Sequence, residues 1–318
     1  MKALIIDKVH DIMFRMFSEA NIDYDYKPKI TKAEFDKTIE DYDILIIRSK
    51  FKINSREIDL GKNLKIIGRV GAGLENIDTH YALSKQIVCL NSPEGNRDAL
   101  GEHTVGMLLN LMNNISKANR EVGQGIWDRE GNWGSEISDK TIGIVGYGNM
   151  GQAFAKRIKA FSPRILAYDK YKNNYSDKFV EEATLNELFE NCDILSLHVP
   201  LTEETKYLIS DKFISKFKKE LILINTARGE CVKTEDLVLA LKNKKIKGAC
   251  LDVLEYEKTS FEELFSTQIP DALEYLIYSD RVILTPHIAG WSDEAYYKLS
   301  KVMASKVIQA QPNTSSAF

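Results

Sequence analysis

Thr141-Ile-Gly-Ile-Val-Gly146-Tyr-Gly148-Asn-Met-Gly151 is the stretch that decides the fold of this chain. A β-branched run predicts a strand, three glycines follow at the spacing of a dinucleotide-binding turn, and a helical pattern begins at once. In such turns the first glycine permits the tight turn, the second lets a pyrophosphate approach the backbone, and the third lets helix and strand pack closely. The helix N-terminus then offers N–H groups and the positive end of its dipole to the phosphates.

The residue after the next predicted strand bears on the choice of dinucleotide. The apolar run Arg164–Tyr168 ends at Asp169, about 20 residues beyond the glycines, where an acid can hold a ribose 2′-hydroxyl. A carboxylate accepts hydrogen bonds from a hydroxyl and repels a 2′-phosphate, so NAD is favoured over NADP. Lys170 and Lys172 follow and keep NADP open, although solvated lysines are common just past a strand.

Composition excludes several classes of protein. The chain has 318 residues, more than one ordinary hydrophobic core needs, so two domains are expected. A net charge of −3 gives no electrostatic footprint for nucleic acid or membrane. No apolar run approaches the roughly 20 residues needed to span a bilayer, and the N-terminus lacks the features of a signal peptide. The cysteines are widely spaced without a metal-binding pattern, so we expect no metal and reduced cytoplasmic thiols; they are Cys89, Cys192, Cys231 and Cys250.

Short apolar runs alternate with helical patterns along the whole chain. This alternation predicts an α/β protein with two doubly wound parallel-sheet, Rossmann-like domains separated by a cleft. Strands are predicted near Ala3–Ile6, Ile44–Arg48, Ile66–Val70, Val88–Asn91, Ile165–Tyr168, Ile194–His198, Leu221–Asn225, Ala249–Asp252 and Val282–Leu284. Helical patterns in the first half lie near Asp11–Ala20, Lys32–Ile39 and Asn76–Lys85.

The predicted domains are a flavodoxin-like substrate domain, residues 1–96 and 288–318, and a dinucleotide-binding domain, residues 97–287. A long amphipathic pattern, Asp98–Glu121, is interpreted as one helix joining the halves. It could serve as a hinge and subunit contact or as a plain packing helix. Leu299–Ala310 again has helical spacing. One possibility is that it returns to the first half, which would make the dinucleotide domain a discontinuous insertion.

Polar residues follow three successive strands of the second half. Arg228 follows one strand, Asp252 ends the next with Glu257 five residues later, and His287 follows the last. Hydride transfer from a hydroxyl-bearing carbon needs a base near neutral pH, and histidine is suited to that task. A carboxylate raises the pKa of a paired imidazolium and fixes its tautomer, and an arginine can grip a substrate carboxylate. Each residue alone is commonly structural, but the three together point to a dehydrogenase site.

These motifs resemble those of the D-isomer-specific 2-hydroxyacid dehydrogenases, and most of all their phosphoglycerate dehydrogenase branch. The similarity extends over nearly the whole chain in order. It runs through Arg48-Ser, Gly68-Arg-Val-Gly-Ala-Gly73, Asn76-Ile-Asp78, Gly101-Glu-His-Thr104, the glycine motif, His198-Val-Pro200 with Thr205, Asn225-Thr-Ala-Arg-Gly229, Leu251-Asp-Val253 and Thr285-Pro-His-Ile-Ala-Gly290.

The resemblance implies a role for each matching residue. Arg228 would bind the substrate carboxylate and carbonyl, His287 would be the acid–base, and Glu257 its carboxylate partner. The backbone of Val70, Gly71, Ala72 and Gly73 would hold the substrate carboxylate. NAD would be contacted by Gly146, Gly148, Asn149, Met150, Gly151, Asp169, His198, Val199, Pro200, Thr205, Thr226, Ala227, Asp252, Ala289 and Gly290. Members of the family are commonly homodimers built through the long linking helix.

Two arginines bear on the substrate. In the phosphoglycerate branch, arginines at the positions of Arg48 and Arg69 contact the substrate phosphate, and forked cations hold phosphate well. The expectation is therefore 3-phosphoglycerate, oxidised to 3-phosphohydroxypyruvate in serine biosynthesis. The main alternative is a glyoxylate or hydroxypyruvate reductase, in which both arginines would be ordinary surface charges. A less expected alternative is an NAD-sensing binding protein resembling corepressors, because the chain lacks the long disordered extensions such proteins use.

Three departures from the family pattern are visible. Lys258 replaces the usual proline after the glutamate, and the stretch Thr259–Tyr278 replaces a short proline-rich segment. The aromatic residues of that stretch (Phe261, Phe265 and Tyr275) could pack over the site or belong to an inert surface loop. Trp291 stands where smaller residues are common and could narrow the pocket. The chain ends soon after the catalytic fold, so serine feedback through an appended regulatory domain is not expected.

Overall fold

The computed structural model describes residues 1–257 and 269–311, and the chain divides into two compact units. The first unit comprises Met1–Arg97 and the residues from Trp291 onward, and the second comprises Asp98–Gly290. These boundaries lie next to the expected ones, 96/97 and 287/288. Each unit has its own parallel sheet covered by helices, so the α/β fold class is confirmed.

The helices and strands follow one another in chain order. They are β1 (Lys2–Ile5), α1 (Ile12–Glu19), β2 (Asp23–Tyr26), α2 (Lys32–Thr38), β3 (Ile44–Ile47), α3 (Ser55–Leu60), β4 (Ile66–Arg69), α4 (Thr79–Ser84), β5 (Val88–Asn91), α5 (Arg97–Met112), α6 (Ile115–Gly123), β6 (Thr141–Val145), α7 (Asn149–Ile158), β7 (Arg164–Tyr168), β8 (Glu181–Glu182), α8 (Leu185–Asn191), β9 (Ile194–Leu197), α9 (Asp211–Ile214), β10 (Leu221–Asn225), α10 (Thr234–Lys242), β11 (Ile246–Leu251), α11 (Asp271–Tyr278), β12 (Val282–Leu284) and α12 (Asp293–Gln309).

The first unit is a five-stranded parallel sheet in the order β2-β1-β3-β4-β5, the flavodoxin-like order. Its central strand β3 is buried along its whole length, as expected for a strand with helices on both faces. Helix α12 buries Leu299, Met303 and Val307 in the core cluster that contains Ala3 and Ile5 of β1. The chain therefore returns to the first unit through α12, which is the possibility raised by the helical spacing.

The second unit is a seven-stranded parallel sheet in the order β12-β11-β10-β9-β6-β7-β8. The chain runs outward from β6 through β7 to β8, then returns to β9 on the other side of β6 and continues to β12. The switch point of the sheet therefore lies between β6 and β9, at the carboxyl end where open α/β sheets bind ligands. Large apolar clusters pack on the sheet and include Phe154 and Phe189.

The structure contains two strands that were not expected, and it interrupts one expected helix. Strand β2 reads Asp-Tyr-Asp-Tyr at the edge of its sheet and is mostly solvent-accessible, so it lacks the apolar run that predicted the other strands. Strand β8 has only two residues. The single helix expected over Asp98–Glu121 is wrong, because α5 ends at Met112 and α6 begins at Ile115. Between them Asn114 has a left-handed backbone (φ 54°), which interrupts the helix and which asparagine tolerates better than most residues.

Part of the Thr259–Tyr278 stretch can be assigned. Residues 259–268, with Phe261 and Phe265, lie outside the described residues. The remainder is not a surface loop, because Asp271–Tyr278 forms α11, with Leu273 and Leu276 buried in the core. Tyr275 also packs against that cluster, and its hydroxyl accepts a hydrogen bond from Arg281 at 2.9 Å.

Two further observations concern the described ranges 1–257 and 269–311. None of their helices has the length and apolar character needed to cross a membrane. The four cysteines are free thiols, three of them buried, and burial raises the pKa of the Cys192 thiol to about 12.

Candidate active site

The predicted cofactor and catalytic residues of the second unit follow the carboxyl ends of its parallel strands. The glycine turn follows β6, Asp169 follows β7, and His198–Pro200 follow β9. Arg228 comes after β10, Asp252 directly follows β11, and His287 lies after β12. Because the strands are parallel, their carboxyl ends share one edge of the sheet, so the structure gathers these residues along that edge.

The three glycines of the turn meet different surroundings. Gly146 has φ +93°, and a Cβ there would lie 2.5 Å from the carbonyl oxygen of His198, across the switch point. At Gly151 a Cβ would lie 2.2 Å from the carbonyl oxygen of Gly146. At Gly148, by contrast, a Cβ would meet no atom within 4 Å. The outer glycines are therefore required by the fold, whereas the middle one faces open space.

That open space fits a pyrophosphate. Gly148 is the N-cap of α7, and no side chain caps the helix there. The first amides of α7 are thus directed toward the space beside Gly148, where the helix dipole favours negative charge. Backbone amides need no side chain to bind a phosphate, so glycine suffices at position 148.

Asp169 is held in place by backbone amides. Its Oδ2 accepts the amide of Tyr147 at 2.9 Å, and its Oδ1 accepts the amide of Tyr171 at 3.0 Å. The lysines that kept NADP open both have protein partners. Lys170 forms an ion pair with Glu204 at 2.7 Å, and Lys172 donates to the carbonyl oxygen of Tyr147 at 2.6 Å. The loop after β7 therefore carries a fixed carboxylate, and both lysines are engaged by protein partners.

Arg228 is positioned by the loop that follows β10. The buried side chain of Asn225 accepts the amide of Ala227 at 3.0 Å and donates to the carbonyl oxygen of Arg228 at 2.9 Å. The loop packs directly against the loop after the next strand, since a Cβ at Gly229 would lie 2.0 Å from the carbonyl oxygen of Leu254. The Arg228 guanidinium also donates to the carbonyl oxygen of Ala227 at 2.6 Å.

His287 and Glu257 form a direct pair. The Nδ1 of His287 lies 2.7 Å from Oε2 of Glu257, and both side chains are largely shielded from solvent. The other carboxylate oxygen, Oε1, accepts the amide of Leu254. Because an ionised carboxylate can only accept, Nδ1 carries the proton of this bond, and Nε2 is the nitrogen that can exchange a proton.

The backbone of His287 is left-handed (φ 56°), which a residue with a side chain adopts only under constraint. Asp252 supplies that constraint. Its carbonyl oxygen accepts the amide of His287 at 2.8 Å, and its carboxylate accepts the amides of Ile288 and Ala289, each at 2.9 Å. The Asp252 carboxylate is 2% exposed and also accepts the Thr285 hydroxyl at 2.6 Å.

The other expected NAD contacts lie in loops at the same edge. Thr205 closes the loop after β9, because its hydroxyl donates to the carbonyl oxygen of Pro200 at 2.6 Å and accepts the amide of Thr202 at 2.8 Å. His198 bonds Ser196 through Nε2 at 2.9 Å. Its Nδ1 is buried and finds no hydrogen-bond partner among the described residues, and burial lowers the pKa of the imidazole to about 3.

In the first unit, the expected substrate loop follows β4. Its carbonyl oxygens are held by side chains: Arg69 donates to Gly73 at 2.8 Å, and Asn91 donates to Ala72 at 2.6 Å. Arg69 also donates to the carbonyl oxygen of Arg48 at 3.1 Å. The amide of Gly71 donates back to the carbonyl oxygen of Arg69 at 2.8 Å. The loop is thus a fixed backbone structure braced by Arg69.

Arg48 differs from Arg69. Its Cζ lies 5.6 Å from the centre of the Trp291 ring, within the range of a cation–π contact, and its backbone amide donates to Asp7 at 2.6 Å. Trp291 is 71% exposed. An arginine beside an exposed indole is oriented without being enclosed.

The comparison with known proteins decides the family. Residues 105–289 match the family model for the NAD-binding domain of D-isomer-specific 2-hydroxyacid dehydrogenases. The chain belongs to this family. NAD is accordingly the cofactor of these enzymes, and the turn, the helix N-terminus and Asp169 described above fit it.

Relatives of this dehydrogenase have several activities. A protein of Thermotoga maritima named hydroxypyruvate reductase is 37% identical over 280 residues, covering 88% of both chains. The D-3-phosphoglycerate dehydrogenase of Methanocaldococcus jannaschii is 33% identical over 311 residues, which cover 96% of this chain but 56% of that protein. The chain thus spans little more than half of that longer relative. A D-lactate dehydrogenase of Aquifex aeolicus, in complex with NAD and lactic acid, superposes with a TM-score of 0.80 at 26% identity, covering 96% of this chain and 94% of that chain.

Three residues that bond to loops of the predicted site were not among the expected site residues. They are Asn225, which orders the Arg228 loop, Thr285, which bonds Asp252, and His103, whose Nε2 lies 3.1 Å from the Thr285 hydroxyl. Each falls within a quoted motif, so the sequence carried a signal. The contacts of His103 and Thr285 could not be predicted, because they join segments far apart in the chain.

Proposed function

We propose that this dehydrogenase interconverts 3-phosphoglycerate and 3-phosphohydroxypyruvate with NAD. The observation that carries the catalytic part is the bond between His287 and Glu257, which sets the proton on Nδ1 and directs Nε2 to proton exchange. In the oxidising direction, Nε2 of His287 takes the hydroxyl proton of the substrate. A bound NAD would supply the hydride acceptor for the hydroxyl-bearing carbon. The Glu257 carboxylate stabilises the imidazolium that forms.

Arg228 is proposed to bind the carboxylate and carbonyl of the substrate. Its loop is ordered by Asn225, so the guanidinium is held at the carboxyl edge of the sheet before substrate arrives. A planar guanidinium matches a carboxylate in two parallel hydrogen bonds and also polarises an adjacent carbonyl. Within the first unit, the braced backbone of residues 70–73 is proposed as a second carboxylate contact, because the described residues provide no acceptor for the amides of Ala72 and Gly73.

Arg48 is proposed as the main phosphate ligand. Its guanidinium is oriented by Trp291 rather than enclosed by carbonyl oxygens. A cation–π contact of about 0.5–1 kcal/mol leaves the N–H donors able to bind an anion. Arg69 is proposed to act through the loop that it braces, since two of its donors bind the carbonyl oxygens of Arg48 and Gly73.

A hydroxypyruvate or glyoxylate reductase is the second candidate. The engagement of Arg69 with carbonyl oxygens favours it, because a phosphate site would then have one arginine rather than two. The 37% identity with the reductase of Thermotoga maritima points the same way.

The proposal also includes a cytoplasmic homodimer acting in serine biosynthesis. Support for the dimer comes from a group of exposed apolar side chains in and after α6 of the second unit. They are Ile115, Val122, Ile126, Trp127 and Trp133.

The test is NADH oxidation with phosphohydroxypyruvate, hydroxypyruvate and glyoxylate, compared between the wild type and Arg48→Met. The expected result is a kcat/KM for phosphohydroxypyruvate at least tenfold above the other acids. Arg48→Met should lower that value about 100-fold, the equivalent of ~3 kcal/mol for a charge-assisted bond, and change hydroxypyruvate turnover less than about threefold. The matched control is Lys52→Met, which removes an exposed cation four residues away.

Three results would contradict the proposal in different ways. Equal use of all three acids, unaffected by Arg48→Met, would make the second candidate correct. Loss of activity in Lys52→Met equal to that in Arg48→Met would mean that general charge, and not a phosphate ligand, is responsible. No turnover of any 2-oxo acid would favour a binding protein.

A further inference from the structure

We propose that His103 is a positioning residue for the acid–base histidine. This inference rests on the proposed function of His287 and adds a residue from a different element. His103 lies on α5, whereas the His287 loop follows β12, more than 180 residues later in the chain. Its Nε2 lies 3.1 Å from the hydroxyl oxygen of Thr285, two residues before His287.

The direction of each hydrogen bond follows from the chemistry of the groups. The Thr285 hydroxyl has a single hydrogen, and it lies 2.6 Å from Oδ1 of Asp252, a carboxylate that can only accept. The hydroxyl hydrogen is therefore directed to Asp252, and the hydroxyl oxygen must accept from His103. This assigns the proton of His103 to Nε2. The chain of donors runs from His103 through Thr285 to Asp252.

Asp252 is the group that holds the strained loop. Its carboxylate accepts the amides of Ile288 and Ala289, and its carbonyl oxygen accepts the amide of His287, whose backbone is left-handed. A carboxylate bonded by two amides and one hydroxyl can rotate little. If the hydroxyl loses its orientation, the carboxylate gains a competing rotamer, and the amides that fix the His287 backbone lose their acceptor geometry.

His103 also has a second relation to the carboxylate. Its Nε2 lies 3.7 Å from Oδ1 of Asp252, beyond hydrogen-bond distance but near enough for attraction to a partial positive charge. The His103 side chain is mostly shielded from solvent, and Asp252 is 2% exposed, so water screens this attraction little. The histidine thus orients Thr285 and favours one position of the carboxylate.

The test compares His103→Ala with His103→Gln, whose side-chain amide reaches to the position of Nε2 and keeps an N–H donor. His103→Ala should lower kcat about tenfold with KM for the 2-oxo acid and Kd for NADH within about twofold, because a small displacement of His287 affects the chemical step. His103→Gln should recover most of the lost kcat. His80→Ala, which removes an exposed histidine of α4, is the matched control.

A second variant keeps the test independent of how well His103→Ala folds. Thr285→Val removes the bridging hydroxyl with little change of volume and should lower kcat to a similar extent. The double variant His103→Ala/Thr285→Val should be no worse than the poorer single variant, because both break one chain of bonds. In hydrogen exchange without cofactor, the amides of Ile288 and Ala289 should exchange faster in His103→Ala than in the wild type.

The proposal is overturned if His103→Ala keeps the wild-type kcat, if Gln recovers no more than Ala, or if the two single losses multiply in the double variant. The proposed function can fail separately. If the wild type turns over none of the 2-oxo acids, the exchange of the Ile288 and Ala289 amides still decides whether His103 positions the loop.

Discussion

Replacing either of the two glycines at the start of α7 by alanine should have opposite effects. Gly148→Ala should weaken NADH binding, whereas Gly151→Ala should lower the stability of the fold. Gly148 has φ −88°, an extended backbone that alanine adopts, and its Cβ would meet no protein atom within 4 Å. Alanine at an N-cap costs about 1 kcal/mol relative to glycine, and the lower entropy of the unfolded chain returns about 0.4–1 kcal/mol. The stability of Gly148→Ala should therefore stay within about 1 kcal/mol of the wild type.

The cost should appear in cofactor binding instead. If the open space beside Gly148 holds the pyrophosphate, an added methyl group displaces it from the amides at the start of α7. Losing one charge-assisted hydrogen bond costs about 1.5–3 kcal/mol, so the Kd for NADH should rise roughly 10- to 100-fold.

Gly151→Ala should do the reverse. Its Cβ would lie 2.2 Å from the carbonyl oxygen of Gly146, and that oxygen belongs to the backbone of the turn, which cannot rotate away. Overpacking of this kind costs about 1–3 kcal/mol and exceeds the helix-propensity gain of about 1 kcal/mol for alanine. At the middle of that range the net loss is about 1 kcal/mol, so Tm should fall by roughly 2–4 °C.

The assays are thermal unfolding followed by circular dichroism and NADH titration followed by fluorescence, on both variants and the wild type. An unchanged Kd for NADH in Gly148→Ala would mean that the pyrophosphate does not lie beside Gly148. A wild-type Tm in Gly151→Ala would mean that the turn adapts to a Cβ, contrary to the packing argument.

The remaining predictions concern three other residues. His287→Gln should lower kcat about 10²- to 10⁴-fold with Kd for NADH within about twofold, and full activity would remove His287 from proton transfer. Asp169→Asn keeps an acceptor for one of its two bound amides and loses the charge that repels a 2′-phosphate. The ratio of kcat/KM for NADH to that for NADPH should therefore fall about tenfold, and an unchanged ratio would refute the role of the charge. His198, whose Nδ1 is buried, has its pKa lowered to about 3, so the unfolded chain, titrating near 6.5, binds the extra proton as the pH falls below 6.5. Urea unfolding should show the wild type losing about 2–3 kcal/mol more between pH 7 and pH 4.5 than His198→Gln, and equal losses would contradict this.

Much of the fold could be predicted because its signals are local. A β-branched run followed by glycines, or an apolar run ending in a charge, records an element and its boundary within a few residues. Strand β2 was not predicted, because its Asp-Tyr alternation lies at a solvent-exposed edge, where burial imposes no apolar pattern. The helix break at Asn114 was not predicted, because an apolar stripe does not reveal the sign of one φ angle.

The site was less predictable, because its geometry depends on bonds between distant segments. The sequence places a histidine after β12, but only the structure shows that its backbone is left-handed and that Asp252 holds it so. Asn225 is a different case: its bonds to the amide of Ala227 and the carbonyl oxygen of Arg228 are local, but a sequence does not show which backbone groups a side chain meets. Motif matching marks such residues without saying whether they contact the ligand or the loop.

Arg48 and Arg69 illustrate why this distinction bears on the substrate. In the sequence they are equivalent, each a cation after a buried strand. In the structure Arg69 donates to two carbonyl oxygens. If Arg69 moved to bind a phosphate, it would lose these bonds, which hold the backbone proposed to bind the substrate carboxylate. Hydrogen bonds from a charged group contribute about 1.5–3 kcal/mol each, so that rearrangement would offset most of the gain from binding phosphate. Arg48 gives up only a ring contact of about 0.5–1 kcal/mol, and keeps it if the phosphate binds at the guanidinium edge. Phosphate recognition, where it occurs, should therefore depend on Arg48 first and on Arg69 only through the loop.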